Sequence, residues 1–162
     1  MKKTKIFFLI ISVITLLSAE ELKIKANSFT SDQNTGISVF KGNVSIKKTN
    51  DELNASKVTI YVNKEKKPTK FIAVGDVSFI ITTKEGGIYK GIAGRAIYFP
   101  NKKEYYFYEN VHLKQLNDKK EILGDEVILK INTGKAYAKG IKAEPVIMIF
   151  DIPDEKDIKE KK

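Results

Sequence analysis

The side chains that could support catalysis are few and lie apart in the sequence. The one histidine, His112, stands between Val111 and Leu113, so on a strand it is predicted to point to solvent. Asp125 and Glu126 are adjacent, and adjacent side chains of a strand face opposite sides, so they do not form a carboxylate pair. The sequence contains neither cysteine nor a second histidine, which excludes thiolate chemistry and the usual zinc ligand sets. We therefore predict that the chain is not an enzyme and holds no metal or other cofactor.

Two segments are similar to binding motifs but lack the context that such motifs need. Residues 84–94, "KEGGIYKGIAG", contain neither GxGxxG nor the GK[ST] ending of a phosphate-binding loop, and they lie between predicted strands. The segment "EYYFYEN" places Tyr105 and Phe107 on one face of a strand and Tyr106 and Tyr108 on the other. Aromatic side chains among lysines can stack on bases, but strand packing is the favoured interpretation, and no nucleic acid is predicted as a partner.

The first 19 residues have the layout of a secretory signal peptide. Three lysines precede an apolar run from Ile6 to Leu17, which is too short to span a bilayer, and small residues follow before Glu20. We predict that residues 1–19 are cleaved, which places the mature chain outside the cytoplasm. An uncleaved membrane anchor is the alternative, whereas a lipoprotein is excluded because no cysteine follows the apolar run.

The composition is that of a globular protein with a basic surface. Of the 162 residues, 42% are hydrophobic and 30% are charged, and the net charge of +9 falls by three if the signal-peptide lysines are removed. A basic exported protein is expected to meet anionic lipid or polysaccharide, although a solvated lysine-rich surface explains most of these charges. The last residues, 151–162, are charged at most positions and are predicted to be a disordered tail.

The residues between the signal peptide and the tail are predicted to form β-strands almost throughout. Short segments rich in β-branched and aromatic residues alternate with turn signals such as "NTG" at 34–36 and "GG" at 86–87. Within each segment apolar residues alternate with polar ones, as in Val77, Phe79 and Ile81. The pattern predicts a sheet with one apolar face and one face in contact with water.

A two-strand unit recurs about every 33 residues. The motif "GNVSI" at 42–46 returns as "GDVSF" at 75–79 and as "ENVHL" at 109–113, and each copy is followed by a second strand. Such periods are typical of architectures whose units cannot bury their apolar face alone. The glycine that opens the motif predicts a bend or bulge where the sheet curls, and Glu109 departs from this rule in the third copy.

These features together resemble the OstA-like, or LptA, family of periplasmic lipopolysaccharide-export proteins. The block "IKANSFTSDQNTGISVFKGNVSIKKTNDELNASKVTIYV" at 24–62 carries most of the resemblance, and "FIAVGDVSF" and "EILGDEVILKI" extend it over residues 22–150. The same pattern occurs in LptC and in the periplasmic domain of LptD. The predicted signal peptide and a single domain at residues 20–150 favour an LptA-like protein.

The resemblance implies an all-β fold, an open antiparallel β-jellyroll in which two sheets form a V, built from the repeated two-strand units. It implies a non-enzymatic protein that holds the acyl chains of lipid A in an apolar groove. Copies would stack end to end by strand pairing and bridge the inner and outer membranes during outer-membrane assembly. The implied partners are lipopolysaccharide, an inner-membrane LptC-like protein, an outer-membrane LptD-like protein and further copies of the chain.

Under this resemblance, the apolar face is predicted to line the groove and the outermost strands to make the stacking contacts. The predicted groove residues are Val44, Ile46, Val58, Ile60, Val77, Phe79, Ile81, Phe107, Val111, Leu113, Val127 and Leu129. The predicted edge-strand interface comprises Ile24, Ala26, Phe29, Val146, Met148 and Phe150. Two alternatives stay open: the apolar residues fill a closed core, or the chain is a structural adaptor or an LptC-like component that carries no lipid.

Overall fold

The computed structural model describes residues 21–83, 85–141 and 143–152, which form an antiparallel sheet of ten strands. The predicted signal peptide and residues 153–162 of the predicted tail lie outside the described residues. The strands are β1 (Leu22–Lys25), β2 (Ser28–Asp32), β3 (Ile37–Lys48), β4 (Asp51–Val62), β5 (Pro68–Thr82), β6 (Ile88–Phe99), β7 (Glu104–Gln115), β8 (Lys120–Lys130), β9 (Lys135–Lys139) and β10 (Ile147–Phe150), and a 3₁₀ turn at Ile131–Thr133 separates β8 from β9. The all-β prediction is confirmed.

Strands β3 to β8 each bend near their middle, so that one sheet forms two layers that face each other. Each pair of neighbours among them shifts register at the same level of the sheet, and hydrogen-bonded pairs on either side of that level stay within one layer. The first layer consists of residues 28–32, 37–41, 57–62, 68–74, 95–99, 104–108, 126–130 and 135–139, and the second layer of residues 22–25, 44–48, 51–55, 77–82, 88–93, 111–115, 120–124 and 147–150. The two sheets of the predicted open jellyroll are therefore two halves of one hydrogen-bonded sheet.

The recurrent sequence motif lies at this bend. Gly42 and Asn43 both have positive φ, 78° and 47°, and the residue pairs at 75–76 and 109–110 share this left-handed conformation. Each pair stands where β3, β5 or β7 carries one residue more than its partner strand, which is a β-bulge that bends and twists the strand. Glycine, asparagine and aspartate tolerate this region of φ better than other residues do. The predicted role of the motif as a bend is confirmed.

Close contacts between neighbouring strands decide which residue opens each copy of the motif. A Cβ on Gly75 would lie 2.8 Å from the side chain of Ser56, so this position needs glycine for space as well as for φ. Glu109 keeps its side chain because its neighbour on β6 is Gly94, where an added Cβ would lie 2.7 Å from the Glu109 Cβ. In the third copy the small residue has thus moved to the adjacent strand.

The core fills the space between the layers. All twelve residues that were predicted to share the apolar face are buried, together with four alanines at 55, 73, 93 and 96. The polar residues that alternate with them are at least partly exposed: Ser45, Lys57, Thr59, Ser78, His112 and Lys130. Among the described residues no polar or charged side chain is fully buried. The predicted division into an apolar and a wet face is therefore confirmed.

The sequence did not predict β9, which forms an edge of the first layer. Its five side chains are all exposed, and its sequence "KAYAK" contains no large aliphatic residue that would indicate a buried face. The last strand begins at Ile147, after Pro145, which has no N–H to donate to a ladder. Strand β9 and the start of β10 both lie at the C-terminal edge of the sheet, where side chains are exposed and burial imposes no sequence pattern.

We predict that Gly75→Ala destabilises the fold more than Gly86→Ala does. The two glycines have nearly equal φ, 83° and 85°, but nothing lies within 4 Å of a Cβ at Gly86. Gly86→Ala should therefore lower the free energy of unfolding by about 1–2 kcal/mol, the cost of a left-handed residue. Gly75→Ala should add about 1–3 kcal/mol from crowding against Ser56.

Urea denaturation of the two variants and of the double variant Gly75→Ala/Ser56→Gly measures the two contributions. The double variant should recover the crowding part because the Ser56 side chain is gone. Equal losses for Gly75→Ala and Gly86→Ala would show that space at the bend is not limiting.

Candidate functional site

The two layers separate away from the bend and leave an apolar cavity of about 310 Å³ between them. The row of residues nearest the bend in the first layer, which includes Val58, Ala73, Ala96 and Phe107, forms its floor. The walls come from the next row in each layer: Leu53 and Phe79 in the second layer, and Phe71, Tyr98 and Tyr105 in the first. At the opening lie the strand ends Lys48, Asp51 and Pro68 and the turn residue Pro100.

The twelve predicted groove residues fall into two groups, those that line this cavity and those that do not. Ile46, Val58, Phe79, Ile81 and Phe107 line it. The others belong to the buried core around it: Val44, Ile60, Val77, Val111, Leu113, Val127 and Leu129. Whether any of the twelve contacts a ligand stays a prediction.

Sequence analysis missed four of the large side chains in the cavity wall. All four are half-buried, and Leu53, Phe71 and Tyr105 pack against the core, while Tyr98 stacks on Tyr105. Only the inward direction of Tyr105 was predicted. The signal that could have found them is alternation, because Leu53, Phe71 and Tyr98 stand two residues from the buried Ala55, Ala73 and Ala96, and Tyr105 stands two residues from Phe107.

Two stacked tyrosines form part of the first-layer wall, close to the opening at Pro100. The ring centroids of Tyr98 and Tyr105 lie 4.3 Å apart, and Phe71 extends the row at 6.0 Å from Tyr98. Burial, and then the neighbouring Tyr98 and Asp51, raise the pKa of Tyr105 well above its usual value of 10.0. The Tyr105 hydroxyl therefore stays neutral, so this wall presents aromatic surface and no charge to the cavity.

A second cavity, of about 500 Å³, lies between the layers toward the C-terminal edge and has a more polar lining. The β5–β6 and β7–β8 turns contribute Glu85, Asn117 and Asp118, and residues 129–136 contribute the opposite side. Tyr89 faces this cavity, and burial together with the carboxylate of Asp118 raises its pKa above the usual value. The space between the layers is thus apolar at one end and polar at the other.

The predicted interface residues lie at the two ends of the sheet. At the N-terminal end Ile24 is in β1 and Phe29 is in β2, with Ala26 between them, and the Phe29 ring lies 4.8 Å from that of Phe40. At the C-terminal end Met148 and Phe150 are in β10, and Val146 precedes it. All four side chains of β10 are exposed, and it pairs on one side only, with β8. An apolar strand with one unpaired edge is a ready site for pairing with another strand.

On the outer surface the carboxylate of Glu121 lies between His112 and Lys114. His112 Nε2 lies 2.8 Å from Glu121 Oε2, and the Lys114 ammonium donates to Glu121 Oε1 at 2.9 Å. The hydrogen bonds from His112 and Lys114 lower the pKa of the Glu121 carboxyl. Within the described ranges, acidic residues, histidine and cysteine form no group that could hold a metal ion, and no helix is long and apolar enough to cross a membrane.

Comparisons with known proteins connect this architecture to lipopolysaccharide transport. The family model described as LptA/(LptD N-terminal domain) LPS transport protein matches residues 23–135. The fold is similar to the crystal structure of LptH, the LptA homologous periplasmic component of the lipopolysaccharide transport device from Pseudomonas aeruginosa, with a TM-score of 0.71, 15% sequence identity, and coverage of 82% of this chain and 96% of that one. A search of curated protein sequences found no match.

We predict that the fold loses stability as the pH rises above about 10, and that Tyr105→Phe reduces this loss. In the unfolded chain Tyr105 ionises near pH 10, whereas burial keeps it protonated in the folded state at higher pH. The contribution of Tyr105 to the free energy of unfolding is therefore fully present below pH 10, and it is lost as the pH rises from there toward the folded-state pKa.

Urea midpoints measured from neutral to strongly alkaline pH test this, with Tyr137→Phe as the control because Tyr137 is half exposed on β9. An alkaline loss that is the same in Tyr105→Phe as in the unmodified protein would contradict it.

Proposed function

We propose a function for this chain from the premise that it belongs to the family of the LptA/(LptD N-terminal domain) LPS transport proteins. Members of this family serve in lipopolysaccharide transport and are not enzymes. We propose that this chain is a carrier that holds acyl chains of lipid A between its two layers. The observation that carries the proposal is the apolar cavity that opens between the layers on the side away from the bend.

The chemistry of the cavity suits acyl chains. A hydrocarbon chain needs no hydrogen bonds, and moving it from water to an apolar site is favourable by roughly 0.8 kcal/mol for each methylene. The wall supplies aliphatic and aromatic surface from Leu53, Phe71 and Phe79, while the tyrosine pair adds no charge. Because such contacts are not directional, a bound chain can move along the groove without breaking specific bonds.

The space between the layers can become larger than the present cavity, because the layers are open on the side away from the bend. A volume of about 310 Å³ is at the small end of the range for ligand sites, and lipid A carries several acyl chains. Away from the bend the described strand pairings all lie within a layer, so the layers meet there through side-chain packing. We propose that they separate at the tyrosine-lined mouth when lipid enters.

The sheet edges support end-to-end assembly. In the proposal, β10 of one copy pairs with β1 of the next, so that the second layer continues from copy to copy and the spaces between the layers align. Such a stack would bridge the inner and outer membranes, with an LptC-like protein at one end and an LptD-like protein at the other. The proposal also includes cleavage of residues 1–19 and a periplasmic location for the domain at residues 20–150.

A structural adaptor that carries no lipid, or an LptC-like component, is the second candidate. The observation in its favour is that all twelve predicted groove residues belong to the buried core, for example Val44, Val58 and Val127. Such an adaptor would use the same edges but would not bind lipid A.

We predict that Phe71→Asp weakens the binding of lipid A at least tenfold, whereas Ile72→Asp leaves it nearly unchanged. Phe71 lines the cavity, where an aspartate would place an unpaired charge against the acyl chains. Ile72 is the next residue of β5 and is half-buried on the opposite face. Titration of a fluorescent lipid A with each folded variant measures the difference. Normal binding by a folded Phe71→Asp variant would favour the adaptor.

We predict that Phe150→Asp prevents concentration-dependent assembly and that Ile92→Asp does not. The two side chains are almost equally exposed, at 54% and 55%, but Phe150 lies on the edge strand β10 and Ile92 lies on the outer face of the central strand β6. A charge at the edge adds a desolvation cost to strand pairing. Sedimentation velocity over a range of concentrations distinguishes the variants, and equal assembly by both would exclude β10 as the docking edge.

A further inference from the structure

Phe79 and Phe107 form a contact that crosses the space between the layers. Phe79 belongs to the second layer in β5, and Phe107 belongs to the first layer in β7. Their ring centroids lie 4.1 Å apart with an interplanar angle of 13°, and the two residues are 3% and 1% exposed. In a flat sheet, strands two positions apart are separated by about 9.5 Å, so this stack exists only because the sheet folds over itself.

Gly91 on the intervening strand β6 makes room for this stack. A Cβ on Gly91 would lie 2.6 Å from Cζ of Phe79 and 2.6 Å from the carbonyl oxygen of His112. The ring of Phe79 therefore lies across β6 where that strand has no side chain. The glycine has no positive φ to explain it, so close approach is the reason for its presence.

The stack lies between the two cavities. The apolar cavity extends over β1 to β5 in the second layer and β4 to β7 in the first, and both Phe79 and Phe107 line it. The polar cavity begins at Tyr89 of β6 and at Leu129 of β8, on the other side of these rings. Neither phenylalanine lines the polar cavity. The two rings thus stand where the apolar compartment ends.

We propose that Phe79 and Phe107 form an aromatic partition that closes the apolar compartment and sets the length of alkyl chain that it accepts. A chain that enters at the tyrosine-lined mouth extends along Leu53 and Phe71 until its methyl end meets the stacked rings. Passage toward the polar cavity requires the two rings to separate. This inference rests on the proposed function, since it assumes that the compartment takes hydrocarbon chains.

Binding of straight-chain fatty acids of increasing length, measured by isothermal titration calorimetry, tests the partition. With the unmodified protein the affinity should rise about four-fold with each added methylene and then stop rising when the chain reaches the rings. In Phe79→Ala and Phe107→Ala, the affinity should continue to rise through longer chains, because each truncation removes one of the rings that close the compartment. Phe99→Ala is the matched control, because Phe99 stacks edge-on with Tyr106 on the outer face and its truncation should leave the limiting length unchanged.

Circular dichroism establishes that each variant is folded, and Phe79→Leu and Phe107→Leu replace any alanine variant that is not. These milder truncations should still shift the limiting length. An unchanged limiting length in folded Phe79 and Phe107 variants that bind fatty acids would overturn the partition and leave the proposed function standing. Absence of fatty-acid binding by the unmodified protein would overturn both.

Discussion

The whole architecture depends on a backbone constraint, the pair of left-handed residues at the middle of β3, β5 and β7. An L-residue in this conformation costs roughly 1–2 kcal/mol, and each bulge contains at least one residue other than glycine. The cost is offset because the bend brings two apolar faces together. A flat sheet of these strands would leave Val44, Val77 and Val111 in water, whereas in the folded sheet they are at most 2% exposed. Bend and core therefore stabilise each other, and neither is expected without the other.

The bend alone does not determine which apolar residues are core and which are cavity wall. Val58 and Phe107 lie next to the bend, are almost fully buried and form the cavity floor. One row farther away Leu53 and Phe71 are half-buried in the cavity wall, whereas Leu113 and Leu129 at the same levels are fully buried. Position along the sheet, together with distance from the bend, thus separates the core from the cavity wall. A repeated two-strand unit lengthens both features together, because each copy adds one more bend and one more pair of walls.

This geometry explains how far the sequence could be interpreted. Alternation predicts which face of a strand a residue occupies, and all twelve residues that were predicted to point inward are buried. It does not predict how deep a residue lies between the layers, so most of the cavity wall was missed. The sequence did not predict strand β9, because the side chains of an exposed edge strand need no apolar pattern. Glu109 departs from the motif within its own strand. The sequence does not show that Gly94 compensates for it, because this contact exists only when β6 and β7 lie side by side. The face that a residue occupies on its own strand was predictable, whereas contacts between neighbouring strands and between facing layers were not.

The two ends of the sheet differ in chemistry, and the difference favours a head-to-tail arrangement in the proposed stack. On β10 the outward-facing residues are Ile147 and Ile149, whereas β1 presents Lys23 and Lys25 on its corresponding face. Pairing two β10 strands would place isoleucines beside isoleucines and leave the β1 edges open. Pairing β10 with β1 lets the methylene stems of the lysines cover the isoleucines while the ammonium groups stay in water. It also covers the apolar edge strand β10, which is prone to non-specific pairing when exposed, and continues the second layer from one copy to the next.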